Sequence, residues 1–371
     1  MRSRISRRNL LKTVGAATLL SSTPLGAGFP AFTQEGPDTP KLCLEINGVL
    51  AAGHLDETGM RRVKQLGVNH VAMGGPTIPW EESQIRALVE SLKSGGLTLG
   101  NLMVSGFPNT LYGRPGRDEE IEKVQQSIRA AGAAGVPVVE YNFYAHRLTE
   151  GYYAESGRAG AGMTAFDYSR VKDLPPLPDE GAHNLREMWQ NITYFLKAVV
   201  PVAERSGVRL ALHPNDPPAP LSRGSQQIMG DLAGWKHLIE IVPSKSNGIT
   251  FDCGVTQELG EDPVEVCRYF GTRDRINHVH FRNVNVRTPR ERYTEVFLDE
   301  GQVNMFAVMK ELTRQKYPRL IYPEHPRGLD VDREITGSKS YYPGGGTYTG
   351  YAYNVGYTRA MLQAAMACQA G

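Results

Sequence analysis

A closed parallel (β/α)8 barrel, the TIM-barrel architecture in a single domain, is the fold this chain predicts. Three observations carry that expectation. Eight short apolar segments alternate with eight helical patterns between residues 41 and 366, the signature of parallel strands joined by crossover helices. Gly67, Gly96, Gly135 and Gly207 each follow a helical pattern and precede an apolar segment, where a helix C-terminus favours a left-handed residue. The length of 371 residues, 40% hydrophobic and 22% charged, suffices for one large core. A doubly wound open sheet is the runner-up. It needs no eighth unit, and no Gly-x-Gly-x-x-Gly follows the first apolar segment.

The chain opens on a segment that stands apart from the barrel. Residues 1–34 carry five bases (Arg2, Arg4, Arg7, Arg8 and Lys12) and no acid. Ser6-Arg7-Arg8-Asn9-Leu10-Leu11-Lys12, then an apolar stretch over 14–20 and small residues at Gly26-Ala27-Gly28, resemble a cleavable twin-arginine export signal. A cytosolic basic arm is the plainer alternative. Residues 1–34 are therefore read as signal and linker and 35–371 as the catalytic barrel. The expected location is periplasmic or secreted, with the twin-arginine export machinery as a partner.

The first strand is expected at 41–46, after a polar linker with Gly and Pro at 34–40. Strands follow at 70–73, 98–104, 138–142, 209–213, 249–252, 276–281 and 320–323, each short, apolar and bounded by Gly, Pro or Asn. The intervening helical patterns lie at 57–66, 81–94, 118–134, 184–206, 232–241, 263–270 and 303–313, and a last one at 355–366 closes the chain. Two long segments, 144–182 after the fourth strand and 326–351 after the eighth, are expected as lids or binding loops on the C-terminal face. A surface ornament or an oligomer contact is the alternative for each, and a homo-oligomer stays open.

Composition narrows the partners. The whole chain is +2, but without residues 1–34 its 41 Lys and Arg fall to 36 against 39 acids, or −3. A mildly acidic chain offers no electrostatic case for nucleic acid or an anionic membrane, and no apolar run reaches the roughly 18 residues of a spanning helix. Four cysteines imply no disulfide framework. Cys43, Cys267 and Cys368 read as buried small apolar residues, and only Cys253 ends a strand within a motif.

The chemistry lies in four motifs at the ends of the last four predicted strands: Ala-Leu-His-Pro-Asn-Asp-Pro-Pro at His213, Thr-Phe-Asp-Cys-Gly at Cys253, His-Val-His-Phe-Arg-Asn at His278 and His280, and Tyr-Pro-Glu-His-Pro-Arg-Gly at Glu324 and His325. In a parallel barrel all strand C-termini open on one rim, so His213, Cys253, His280 and Glu324 can converge on one metal ion. His278 and His280 share a strand face. One ligates, and the other binds substrate or supports the first. Imidazole with carboxylate suits Mn2+, Fe2+, Co2+ or Zn2+, and thiolate leans toward softer ions. Export of a folded protein adds a hint toward Mn2+, a weak binder that gains most from being loaded before it meets competing ions.

The runs Trp189-Gln190-Asn191-Ile192-Thr193-Tyr194-Phe195-Leu196, Val199-Val200-Pro201-Val202-Ala203-Glu204 and Gly207 to Pro218, together with Val138-Val139-Glu140-Tyr141-Asn142-Phe143, His280-Phe281-Arg282-Asn283-Val284 and Pro323-Glu324-His325, resemble the mannonate dehydratase family, within the xylose-isomerase-like barrels. The resemblance covers roughly residues 117–366. It implies a metal-dependent hydro-lyase that takes water from D-mannonate to give 2-keto-3-deoxy-D-gluconate, usually with Mn2+. It also implies His213, Cys253, His280 and Glu324 as the ligands. The chain departs from the family in having Glu324-His325 for Asp-His, Asn215 for the first Asp of His-Pro-Asp-Asp, an insertion at 144–162, and Met73 to Pro79 in place of His-His-Ile-Pro. His325, Tyr141 and Arg282 are the expected catalytic residues: His325 and Tyr141 as acid and base, Arg282 as a fork for the substrate carboxylate. Plainer roles stand beside them: support of the ligand set for His325, core packing for Tyr141, and pairing with Asp216 for Arg282. Asn142, Asp216, His278 and Asn283 are the expected substrate contacts. A sugar isomerase or epimerase on the same barrel, or a non-catalytic exported saccharide-binding protein, are the competing functions. A nuclease of the same barrel type wants a basic face that the acidic chain lacks.

Overall fold

The computed structural model describes residues 35–46, 56–334, 340 and 342–370. The export-type segment at 1–34 and Tyr341 lie outside these residues. The described strands are β1 (Lys41–Glu45), β2 (His70–Gly74), β3 (Thr98–Val104), β4 (Val138–Tyr141), β5 (Tyr152–Ser156), β6 (Gly162–Asp167), β7 (Arg209–Leu212), β8 (Asn247–Asp252), β9 (Ile276–His280), β10 (Asn283–Thr288), β11 (Arg292–Val296) and β12 (Leu320–Tyr322). Eight of them close a barrel in the order β1-β12-β9-β8-β7-β4-β3-β2, every neighbouring pair parallel. All eight lie where the apolar segments predict strands, and the closure excludes the doubly wound alternative.

The helices are α1 (Glu57–Gln65), α2 (Glu82–Ser94), α3 (Pro108–Tyr112), α4 (Arg117–Ala133), α5 (Leu185–Arg205), α6 (Leu232–Ile241), α7 (Cys253–Glu258), α8 (Pro263–Gly271), α9 (Met305–Arg314), α10 (Asp330–Glu334) and α11 (Tyr348–Ala370). Local chemistry sets their ends. Asn184 and Glu187 form a reciprocal capping box at the start of α5. Asp262 accepts from the first turn of α8, whose first residue is Pro263. The four predicted glycine stops all have positive φ, between 66° and 80°. The outer faces of the strands pack against the helices in one continuous apolar core. No helix among the described residues is long and apolar enough to cross a membrane.

Two expectations change. The segment at 144–182 is not an open lid. It folds into the β5–β6 hairpin, which pairs with the β10–β11 hairpin to make a second, antiparallel sheet in the order β10-β11-β6-β5. Tyr152, Phe166 and Tyr293 bury one cluster on this sheet. Gly344 lies against it so closely that a Cβ there would sit 2.2 Å from the Met163 carbonyl, which fastens the loop after β12 onto β6. Cys368 is exposed in the last turn of α11 rather than buried, while Cys43, Cys253 and Cys267 are buried free thiols.

Candidate active site

The C-terminal rim of the barrel gathers the polar residues. His213 follows β7, and its Nδ1 donates to the Pro214 carbonyl at 2.8 Å. That bond leaves the Nε2 lone pair facing His280 Nδ1, 3.1 Å away at the end of β9. Glu324, two residues past β12, brings Oε2 within 2.9 Å of the same His280 nitrogen. A divalent ion bonded at about 2.0–2.2 Å separates neighbouring ligand atoms by about 3–3.5 Å, and each of these two spacings, both measured to His280 Nδ1, lies near that range. Among the described residues, the rim group whose ligand atoms all lie within 4.8 Å of one another is His213, Asp252 and His280, and Glu324 reaches it through His280. Cys253 is the first residue of α7, and its thiol donates to the carbonyls of His280 (3.5 Å) and Arg282 (3.3 Å). Sequence reasoning thus brings His213, His280 and Glu324 together, with Cys253 bonded to the backbone beside them. Imidazole, carboxylate and thiol donors fit a borderline divalent metal.

Burial and charge shift these groups in opposite directions. Burial, then the neighbouring His280 charge, lowers His213 to about 4. Burial would lower His280 too, but the Glu324 and Glu140 carboxylates outweigh it and hold the ring at about 10. Burial opposes ionisation of Glu324, yet His280, His325 and Arg282 pull its carboxyl well below the usual range. Burial raises the Cys253 thiol, and the Asp252 charge adds to it. Ligation requires neutral imidazole and thiolate, so metal binding here releases protons.

Arg282 takes a different place from the one expected. Its guanidinium is only 2% exposed and sits among carboxylates: Asp252 Oδ2 at 3.0 Å, Glu324 Oε1 at 3.1 Å, Asp216 Oδ1 at 3.5 Å, Glu295 Oε1 at 3.8 Å, and Glu258. It does not line the cavity. Its Nε and Nη1 are taken up by protein acids, while Nη2 stands 3.5 Å from Asp216, buried and without a hydrogen-bond partner. Asn283 is also turned inward. Its amide donates to the carbonyls of Leu298 and Val303 and its oxygen accepts from the amides of Val284 and Val303, so its hydrogen bonds go to the loop before α9. Tyr141 points the other way from the rim, because side chains alternate along a strand. Glu140 faces the barrel interior, so the Tyr141 ring packs on Phe195 of α5 at 5.5 Å. Its hydroxyl is buried without a hydrogen-bond partner. His278 faces inward below the rim, 4.0 Å from Glu140.

The rim encloses a cavity of about 360 Å³, within the usual range for small-ligand sites. Asn142, His213, Asp216, His280, Glu324 and His325 line it. Sequence reasoning missed Glu45, Arg147 and Tyr342, which also face it. Arg147 Nη2 donates to Tyr342 Oη at 2.6 Å and to Asp216 Oδ2 at 3.1 Å. His325, at a φ of +45°, donates from Nδ1 to Glu295 at 2.9 Å. Its Nε2 lies 3.5 Å from Glu324, and its ring lies 4.4 Å from that of Tyr342. Burial opposes the charge on His325, but Glu295 and Glu324 raise its pKa above the ordinary value. Burial raises Glu45 to about 7, with Glu140 adding to it. An acid ending the apolar strand Lys41-Leu42-Cys43-Leu44-Glu45 was the available signal for Glu45. Arg147 and Tyr342 lie in the two long segments, 144–182 and 326–351, expected as lids or binding loops, but no motif singles them out within those segments.

The model of the family described as D-mannonate dehydratase (UxuA) matches residues 50–177 and 182–370. A mannonate dehydratase of Streptococcus pneumoniae is 30% identical over 318 residues, covering 77% of this chain and 84% of its own. One from Oceanobacillus iheyensis is 30% identical over 312 residues, covering 74% and 87%. The crystal structure of mannonate dehydratase from Streptococcus suis serotype 2 superposes with a TM-score of 0.79 at 27% identity, covering 90% of this chain and 95% of that one. A xylose isomerase-like TIM barrel protein from Mycobacterium smegmatis shares the fold, with a TM-score of 0.58 at 15% identity over 88% of this chain and 98% of its own.

Proposed function

This chain belongs to the D-mannonate dehydratase family, and we propose that it is a metal-dependent hydro-lyase converting D-mannonate to 2-keto-3-deoxy-D-gluconate and water. The observation that carries the reading is the meeting of His213, His280 and Glu324 at the mouth of a polar cavity. We assign the ion to these three residues with Cys253, and Mn2+ is the favoured metal. When bound, it supplies positive charge that offsets the second negative charge arising beside the substrate carboxylate.

The chain's own residues divide the remaining work. The reaction takes a proton from C2, forms the C2–C3 double bond, expels the C3 hydroxyl as water, and ends as the enol becomes the ketone with a proton added at C3. Glu45, with its carboxyl near 7, is suited to take the C2 proton, because a base works best with a pKa close to the operating pH. His325 holds a proton through its bond to Glu295 and is suited to deliver it to the departing hydroxyl. Arg147 lines the cavity and can face the substrate carboxylate, the role expected of Arg282. Asp216 and Tyr342 hold Arg147 in place, and Asn142 lines the wall as a substrate contact.

The twin-arginine-type sequence at 1–34 supports export, and we place the enzyme in the periplasm or outside the cell. The deciding experiment incubates the purified protein with D-mannonate, with Mn2+ or with EDTA, and follows the product by thiobarbiturate colour and mass. A product lighter by one water, formed only with metal, is expected. A product of unchanged mass means an isomerase or epimerase and overturns the reading.

A further inference from the structure

Below the rim the barrel interior holds a second polar cluster that the dehydration does not use. Glu140 is 3% exposed in the middle of the barrel wall. Asn101 of β3 donates to its Oε2 at 2.6 Å, and Thr250 of β8 donates to its Oε1 at 2.7 Å. Its ion-pair partners among the described residues are histidines, with no Lys or Arg in range: His278 Nε2 at 4.0 Å and His280 Nε2 at 3.6 Å. At 4.0 Å the His278 ring makes no hydrogen bond to the carboxylate. His278 is 0% exposed, and both its ring nitrogens, like Asn101 Oδ1, are buried without a hydrogen-bond partner. Unmade hydrogen bonds of this kind are costly, and once His280 turns neutral to ligate the rim ion, Glu140 is left a buried carboxylate without a cation beside it. Three such atoms around one carboxylate point to a bound species.

We propose that Glu140 and His278 hold a second divalent cation inside the barrel, distinct from the ion at the rim. Glu140, His278 and His280 offer ligand atoms within 4.8 Å of one another, and small side-chain rotations bring such atoms to the roughly 3–3.5 Å spacing of a shared ion. A carboxylate with imidazole suits Mn2+, Co2+ or Zn2+. His280 stands between the two ions: its Nδ1 faces His213 and Glu324, and its Nε2 faces Glu140. The inner ion neutralises Glu140 directly beneath the rim.

The test strips the full chain of metal, dialyses it against Mn2+ and then Zn2+, and measures ions per chain by elemental analysis. Anomalous diffraction from crystals of the same samples locates each ion. Two ions per chain are expected, falling to one in His278→Phe and in Glu140→Gln. The double variant His213→Asn with Glu324→Gln should also fall to one while keeping the inner peak. One ion per chain that survives His278→Phe overturns the proposal, as does an inner density peak without anomalous signal. One ion that is lost in His278→Phe but kept in the His213 and Glu324 double variant upholds the inner site and instead refutes the rim assignment. If His278→Phe does not fold, the anomalous map of the unaltered protein decides.

Discussion

Replacing Arg282 with Met separates a substrate clamp from a buried counter-charge. The guanidinium lies within 4 Å of five carboxylates, on Asp216, Asp252, Glu258, Glu295 and Glu324, and Met keeps most of its apolar stem. Removing one partner of a buried ion pair costs about 3–5 kcal/mol. The loss is limited by proton uptake, since a carboxyl can neutralise itself for about 1.4 kcal/mol per unit between its pKa and the pH. Asp252 already stands near 6 because of burial, so its protonation at pH 8 costs only about 3 kcal/mol. We therefore expect a loss of about 4 kcal/mol at pH 8. For a chain this long that corresponds to roughly 8 °C in melting temperature, at about 2 °C per kcal/mol. The sign of the pH effect follows from linkage. Arg282 lowers the pKa of each acid it faces, so the variant's acids titrate at higher pH than the native ones. The variant then loses stability relative to native as pH rises through that interval, and the deficit shrinks on going from pH 8 to pH 6. Urea unfolding at both pH values, beside steady-state kinetics, reads the two effects apart. A variant of native stability whose only defect is a raised KM would refute the counter-charge account and restore the clamp.

Three further outcomes test the same structure. His325→Gln should lower kcat by about 10²–10⁴-fold while the metal content measured by elemental analysis stays native. Tyr141→Phe should leave kcat unchanged and stability equal or higher in urea unfolding, since the hydroxyl it removes is buried and unbonded. Asp274 is bound by Arg209 and Arg319 beneath the barrel. Burial opposes its ionisation, but those bonds hold it near 2. Its folded pKa is thus below the unfolded value of about 3.9, so its contribution is present above pH 4 and lost as pH falls from about 4 to about 2. Asp274→Asn, which tolerates the φ of +54° there, should cost about 1 kcal/mol at pH 7 after solvent screening. Acid titration followed by circular dichroism should show that difference vanishing near pH 2.

The barrel is legible in the chain because each of its strands is a local pattern: a short apolar run, a polar or glycine break, then a helix with its own caps. The rim residues His213, His280 and Glu324 are legible for the same reason, since the end of a strand is a local property and the fold brings all strand ends together. The second sheet is not. Tyr152, Phe166 and Tyr293 mean little apart, and they form a face only once residues 125 to 131 apart in order, 164–167 and 292–295, have paired. Arg282 misleads for a related reason. A motif places it two residues after a strand-end histidine, but its partners Asp216, Asp252, Glu258, Glu295 and Glu324 come from separate segments, and only the assembled site reveals them.

Tyr141 and Glu140 make the point within one strand. Read as Val-Val-Glu-Tyr, the segment offers two polar candidates, and the aromatic one looks chemically able. Period-two alternation lets only one of them face the interior. The deciding information is which face meets the helices, and Phe195 supplies it from 54 residues away by packing on the tyrosine ring. Glu140 is then the residue turned toward the histidines, although a carboxylate in a core strand is the costlier one to bury. A chain that accepts that cost while placing an unbonded histidine opposite it has left buried nitrogens that still need a partner, and a cation between the two would supply one.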